Sequence, residues 1–124
     1  MQKIVVAFVA ALFLVACGSK ELSPLEKRVA EKMSFDNVDK SIVKAFNYRH
    51  NANGLLEFEL VLVSEKDMEL EYKVFWKDED EFVLKAPTDG EFITLKLKKN
   101  KEYLLQRVAT NKDAVDFALS LRKK

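Results

Sequence analysis

Glu69-Leu70-Glu71-Tyr72-Lys73-Val74-Phe75-Trp76-Lys77 is the stretch on which the fold turns. Leu70, Tyr72, Val74 and Trp76 fall on every second position, with Glu69, Glu71, Lys73 and Lys77 between them. A period of two is that of a strand with one buried and one solvated face. The same alternation recurs on both sides of it. Upstream, Ile42 to Tyr48 forms one candidate strand, and Leu56, Phe58, Leu60 and Leu62 form an inward row opposed by Glu57 and Glu59. Downstream, Ile93, Leu95 and Leu97 oppose Thr94, Lys96 and Lys98. Glu102 to Ala109 follows, and then Val115, Phe117, Leu119 and Leu121 oppose Asp116, Ala118, Ser120 and Arg122. Phe82 to Lys85 reads as one further short strand.

The segments are punctuated by turn residues: His50-Asn51-Ala52-Asn53-Gly54, Ser64-Glu65-Lys66-Asp67, Asp78-Glu79-Asp80-Glu81, Ala86-Pro87-Thr88-Asp89-Gly90 and Lys99-Asn100-Lys101. About seven one-sided strands need a second sheet to cover their apolar faces, which predicts an all-β, immunoglobulin-like antiparallel β-sandwich. Trp76 suits the centre of such a core. The chain has a single cysteine, so no internal disulfide crosses the sheets and packing alone must hold them.

The first residues obey a different rule. Lys3 precedes thirteen unbroken apolar residues, Ile4 to Ala16, ending at Cys17-Gly18-Ser19. A membrane span needs about 20 residues, so this run fits the apolar region of a secretory signal instead. Leu14-Val15-Ala16-Cys17 resembles the bacterial lipobox. The resemblance implies cleavage before Cys17, a diacylglyceryl group on its thiol and, in many bacteria, a third acyl chain on its new amino group. Two or more chains anchor stably where one does not. By resemblance to enteric lipoproteins, Gly18 rather than Asp after the cysteine favours the outer membrane. The expected organisation is therefore a signal peptide at 1–16, a lipid-anchored tether at 17–40 and the sandwich at 41–124. Within the tether, Ser23-Pro24-Leu25-Glu26 looks like a capping box and Leu25, Val29 and Met33 would share one face of a short helix, the alternative being a flexible linker pressed against the domain.

The 124 residues carry 21 Lys+Arg against 20 Asp+Glu. This balance argues against nucleic acid as a partner. No metal-ligand or cofactor-binding pattern occurs, and no catalytic motif is present. His50, the one histidine, is flanked by Arg49 and Asn51, which supply neither a nucleophile nor an orienting carboxylate. Asp78 to Glu81 lacks the spacing of a calcium loop and reads as an exposed hairpin. Two features suggest a contact surface. Phe75 and Phe92 sit opposite the inward rows, where they are either exposed or covered by the Leu25–Val29–Met33 segment. Lys96, Lys98, Lys99 and Lys101 form a local basic patch that either meets anionic groups or guards a strand edge.

Leu70-x-Tyr72-x-Val74-x-Trp76-x-Asp78, then Ala109-Thr110-x-x-x-Ala114-Val115-Asp116-Phe117 and Leu121-Arg122, resemble the YcfL-like family of small bacterial envelope lipoproteins. The resemblance spans residues 55–122 and implies an immunoglobulin-like periplasmic domain without an assigned activity. In some relatives the gene lies near a lipoprotein activator of peptidoglycan synthases. Glu81 departs from the pattern, since relatives often carry a turn glycine there.

Together these readings predict a non-enzymatic, lipid-anchored interaction or accessory module of the outer membrane and periplasm, with an envelope protein as partner. Surface exposure with a part in host-cell adhesion is the alternative. Less favoured are an envelope-glycan hydrolase and a binder of small apolar ligands between the sheets.

Overall fold

In the computed structural model, residues 22–85 and 91–124 are described. The signal segment at 1–16, Cys17, the start of the tether and the 86–90 turn lie outside them. The described residues begin with helix α1 (Pro24–Lys32), followed by strands β1 (Met33–Asp36), β2 (Val43–His50), β3 (Leu56–Leu62), β4 (Met68–Lys77), β5 (Ile93–Leu97), β6 (Tyr103–Val108) and β7 (Asp116–Lys123). They form two sheets, of order β1-β7-β4-β5 and β2-β3-β6. The expected all-β sandwich is what the chain builds.

The inward rows meet between the sheets. Phe46, Phe58, Trp76 and Phe117 are buried and converge at the centre, with the Phe58 and Phe117 rings stacked at 5.0 Å and 14°. Trp76 lies 5.9 Å from Phe58 and 5.7 Å from Phe117. Each large ring removes much apolar surface from water and adds about 0.5–1.5 kcal/mol through ring-ring geometry. This aromatic knot occupies the place a disulfide holds in other sandwiches.

Four details differ from expectation. Phe82 to Lys85 is not a strand; it makes one isolated bridge, Lys77 to Val83, and the Leu84 amide donates to the Trp76 carbonyl at 2.7 Å. The seventh strand is instead β1, inside the stretch expected to be tether. It pairs parallel to β7, Met33 opposite Leu119 and Phe35 opposite Leu121, so one edge breaks the antiparallel pattern. Val115 is 42% exposed, because Ala114 takes the buried position just before the strand. Ile93 is 39% exposed at the start of β5, the edge of the wider sheet.

Helix α1 follows the capping pattern: the Ser23 hydroxyl accepts from the Glu26 amide at 3.2 Å, with Pro24 at the first turn. No loop separates it from β1, since Met33 is extended and begins the strand. The helix packs on β1, β2 and β7. Its Arg28 Nε–H donates to the Phe46 carbonyl at 2.6 Å, and Lys32 pairs with Asp116. One open side of the sandwich is thus closed by α1, which lies against β2, an edge strand of the smaller sheet.

Candidate interaction surfaces

Alternation along β4 turns Glu69, Glu71, Lys73, Phe75 and Lys77 to the outer face of the four-stranded sheet. Register adds Ala118, Ser120 and Arg122 from β7, and Thr94 and Lys96 from β5. Phe75 and Phe92 both lie half-buried on this face. Neither is covered by α1, which packs on the other side of the sheet order, against β1, β2 and β7. Cations cover them instead. Arg122 stacks its guanidinium 3.5 Å from the Phe92 ring centre. Lys73 Nζ lies 4.9 Å from the Phe75 ring and 5.6 Å from the Phe92 ring. Such contacts contribute about 0.5–1 kcal/mol at exposed sites. Glu71 completes the row, with Arg122 Nε–H donating to its carboxylate at 3.3 Å. Beyond it, Lys124 donates to the Thr94 hydroxyl at 3.3 Å.

The result is a ladder across β4, β7 and the residue leading into β5, Phe75–Lys73–Phe92–Arg122–Glu71, rather than two bare rings. Sequence reasoning singled out the phenylalanines and left out Lys73 and Arg122. Lys73 stands two residues from Phe75 and was within reach of periodicity. Arg122 enters only through the β4–β7 register, which places it opposite Glu71 from 51 residues away.

The structure divides the lysines. Lys96 is exposed on the ladder face, in register with Glu69. Lys98, Lys99 and Lys101 sit at the β5–β6 turn, at one end of the sandwich. That turn is braced by the neighbouring β3–β4 connection: the Asn100 amide donates to the Ser64 carbonyl at 2.7 Å, and the Lys99 amide to the Asp67 carboxylate at 2.8 Å. Asn100 adopts φ 58°, a left-handed conformation that asparagine tolerates. The backbone is held while the three lysine side chains stay exposed.

The acidic hairpin has its own occupation. The Asp78 carboxylate accepts from the amides of Asp80 at 2.9 Å and Phe82 at 3.1 Å, closing the turn on itself. Glu81 there has φ 65°, the conformation for which glycine is suited. His50 is exposed at the end of β2, beside an Arg49–Glu57 ion pair at 2.8 Å. Among the described residues no group of three or more His, Cys, Asp or Glu stands close enough to hold a metal ion. No described helix is long and apolar enough to cross a membrane.

A second surface was not foreseen as a site. Between α1 and the β1–β2 connection runs a groove of about 520 Å³, floored by Val29, Met33, Phe35 and Val43 and lined also by the exposed Leu22 and half-buried Leu25. Its rim is polar, with Glu26, Asp39, Lys40 and Ser41. The Ser41 amide donates to the Asp39 carboxylate at 2.9 Å, which holds that carboxyl below the usual aspartate range. The i, i+4 spacing of Leu25, Val29 and Met33 was the sequence signal, but their role reads as packing until the opposite wall is in place.

A family model described as a protein of unknown function, DUF1425, matches residues 29–123. The crystal structure of Campylobacter jejuni cj0090 is similar over 75% of this chain and 98% of that one, at 36% identity and a TM-score of 0.69. A DUF1425 family member from Shewanella sp. pv-4 is similar over 66% of this chain and 76% of that one, at 25% identity and a TM-score of 0.56. No curated protein matches the chain.

Proposed function

The chain belongs to the DUF1425 family, and from that premise we propose that it is a non-enzymatic recognition domain of the bacterial envelope, anchored by lipid on Cys17. The ladder Phe75–Lys73–Phe92–Arg122 carries the reading. It concentrates aromatic area and positive charge on the outer face of a sheet whose inner face is already filled by core. A partner suited to it is an envelope protein with an apolar patch bordered by carboxylates. Phenylalanine and arginine together supply contact area and directed charge, the combination that favours central positions of interfaces. Lys96 lies on the same face and widens the positive field. The lysines of the β5–β6 turn are a separate, solvating group in this reading.

Attachment rests on Leu14-Val15-Ala16-Cys17, and Gly18 favours the outer membrane. Tethering raises the local concentration of the domain, so a modest contact suffices for function. The non-enzymatic reading is supported by the placement of the candidate acids and of His50. The Asp78 carboxylate is engaged by its own turn, and His50 stands exposed at a strand end.

The test uses the full chain in its own bacterium. Intact mass of the parent chain should show cleavage before Cys17 and added diacylglyceryl mass, both lost in Cys17→Ala. A photo-reactive amino acid at Thr94, on the ladder face, should give one discrete cross-linked protein, while the same probe at Gln106, on the opposite sheet, should not. Loss of the Thr94 product in Arg122→Ala, with an unchanged melting curve, ties the contact to the ladder. Absence of lipid mass on Cys17 in the parent chain would overturn the anchor, and equal cross-linking from both faces would overturn the surface.

A further inference from the structure

We propose that the groove between α1 and the β1–β2 connection holds one acyl chain of the lipid on Cys17. This inference rests on the lipid anchor proposed above and adds a place for it on the domain.

Three observations point to this occupant. The first is position. Leu22 lines the groove, is 48% exposed, and stands only five residues after Cys17. Five extended residues span at most about 17 Å, so the lipid is held within that reach of a groove-lining residue and no distant ligand competes with it on equal terms. The second is chemistry. The floor is hydrocarbon from Val29, Met33, Phe35 and Val43, while the charged and hydroxyl groups stand along the rim. An apolar floor beneath a polar rim suits a chain that is apolar along its length and attached to a polar group at one end. The third is size. A methylene fills roughly the volume of a liquid water molecule, about 30 Å³. The groove, at about 520 Å³, is on the scale of pockets that hold small apolar ligands and so can receive an acyl chain.

The walls are built to persist without an occupant. One wall is α1, fixed by Arg28 to the Phe46 carbonyl and by Lys32 to Asp116. The other is the single 3₁₀ turn Lys40–Ile42, capped by Asp39. Neither wall depends on contact with lipid to hold its shape. On this reading, one chain of Cys17 lies along the domain and the remaining chain or chains enter the membrane. The α1 end of the sandwich is then held at the bilayer surface in a fixed orientation.

The test is a cross-link within the lipidated full chain. Cells are fed a fatty acid carrying a diazirine, the lipoprotein is purified in detergent, irradiated and mapped by mass spectrometry. Intact mass first establishes whether Cys17 carries lipid. With lipid present, adducts should concentrate on residues 25–43 in the parent chain. They should fall several-fold in Ala30→Glu, which sets a charge in the groove from an exposed helical position, and in Ser41→Phe, which fills it from the opposite wall. Leu104→Glu, on β6 at the opposite edge of the smaller sheet from β2, should leave them unchanged. Melting curves identify which variants are folded, and either groove variant suffices.

Absence of lipid on Cys17 would overturn the anchor, and the inference with it. Lipid on Cys17 with no groove adducts, or with adducts scattered over the surface, would overturn the groove alone. Groove adducts arising from added diazirine-bearing phospholipid, and none from the chain on Cys17, would also overturn it and assign the groove to bilayer lipid.

Discussion

Glu81 shows how much one residue can reveal at each level. Its φ of 65° is left-handed, which costs an L-residue about 1–2 kcal/mol, while glycine carries an entropic penalty of roughly half that. Glu81→Gly should therefore raise stability by about 0.5–1 kcal/mol, measured as a higher urea midpoint at unchanged slope. The sequence resemblance had marked this position as unusual, and the backbone gives the reason. Asp116 makes a second case. Burial pushes its carboxyl up, but the Lys32 hydrogen bond, the Phe117 amide and the charges of Lys32 and Lys77 together bring it below the ordinary aspartate range. Because the folded value is the lower one, the stabilisation is present above the unfolded value near pH 4 and is lost as pH falls through the folded one. Asp116 is partly exposed, so the effect is modest. Asp116→Asn should cost about 0.5–1 kcal/mol at neutral pH. The two proteins should converge in acid, which denaturant titrations from pH 7 to pH 2 would display.

At the scale of the element, sequence periodicity was faithful where a strand has one dry face and failed at the ends. Leu56–Leu62 and Leu70–Trp76 read correctly because every second side chain meets the opposite sheet. Val115 continues the period of β7, yet the chain leaves the ladder before reaching it, and Ala114 occupies the space. Phe82–Lys85 is a short apolar run between turn signals, but Asp78 draws the backbone into a closed turn that leaves Phe82 70% exposed. Strand β1 was hidden for another reason. Met33 ends the helical Leu25–Val29–Met33 face and also begins the strand, so one residue satisfies both periods. Four residues are too few to outweigh the helical signal, and their partner β7 lies more than 80 positions away. The ladder was half legible for the same reason: Phe75 and Phe92 follow from alternation, whereas Arg122 needs the register. Helix α1 itself was legible through its cap. Ser23→Ala removes the hydroxyl that receives the Glu26 amide and should cost about 1 kcal/mol, seen as an earlier thermal transition. Because the helix carries one wall of the groove, the loss should also increase amide exchange in α1 relative to β4.

For the whole molecule, stability is concentrated where the two sheets share rings. Phe117 is buried and touches Phe46, Tyr48, Phe58 and Trp76, rings drawn from three other strands. Phe117→Ala should cost about 3–5 kcal/mol, enough to unfold a modest sandwich outright, while Leu104→Ala on the exposed outer face of β6 should shift stability by less than about 0.5 kcal/mol. A chemical denaturation series on the two variants separates them. The sheet order has a consequence in time as well as in energy. Strand β7 is the last of the seven in chain order, yet it lies between β1 and β4 in the wider sheet and contributes Phe117 to the centre. A ribosome delivers strands from first to last, so β1 has no neighbour in its sheet until β7 has been made. The wider sheet therefore cannot close until β7 has emerged, and the folding of its centre waits on the last strand.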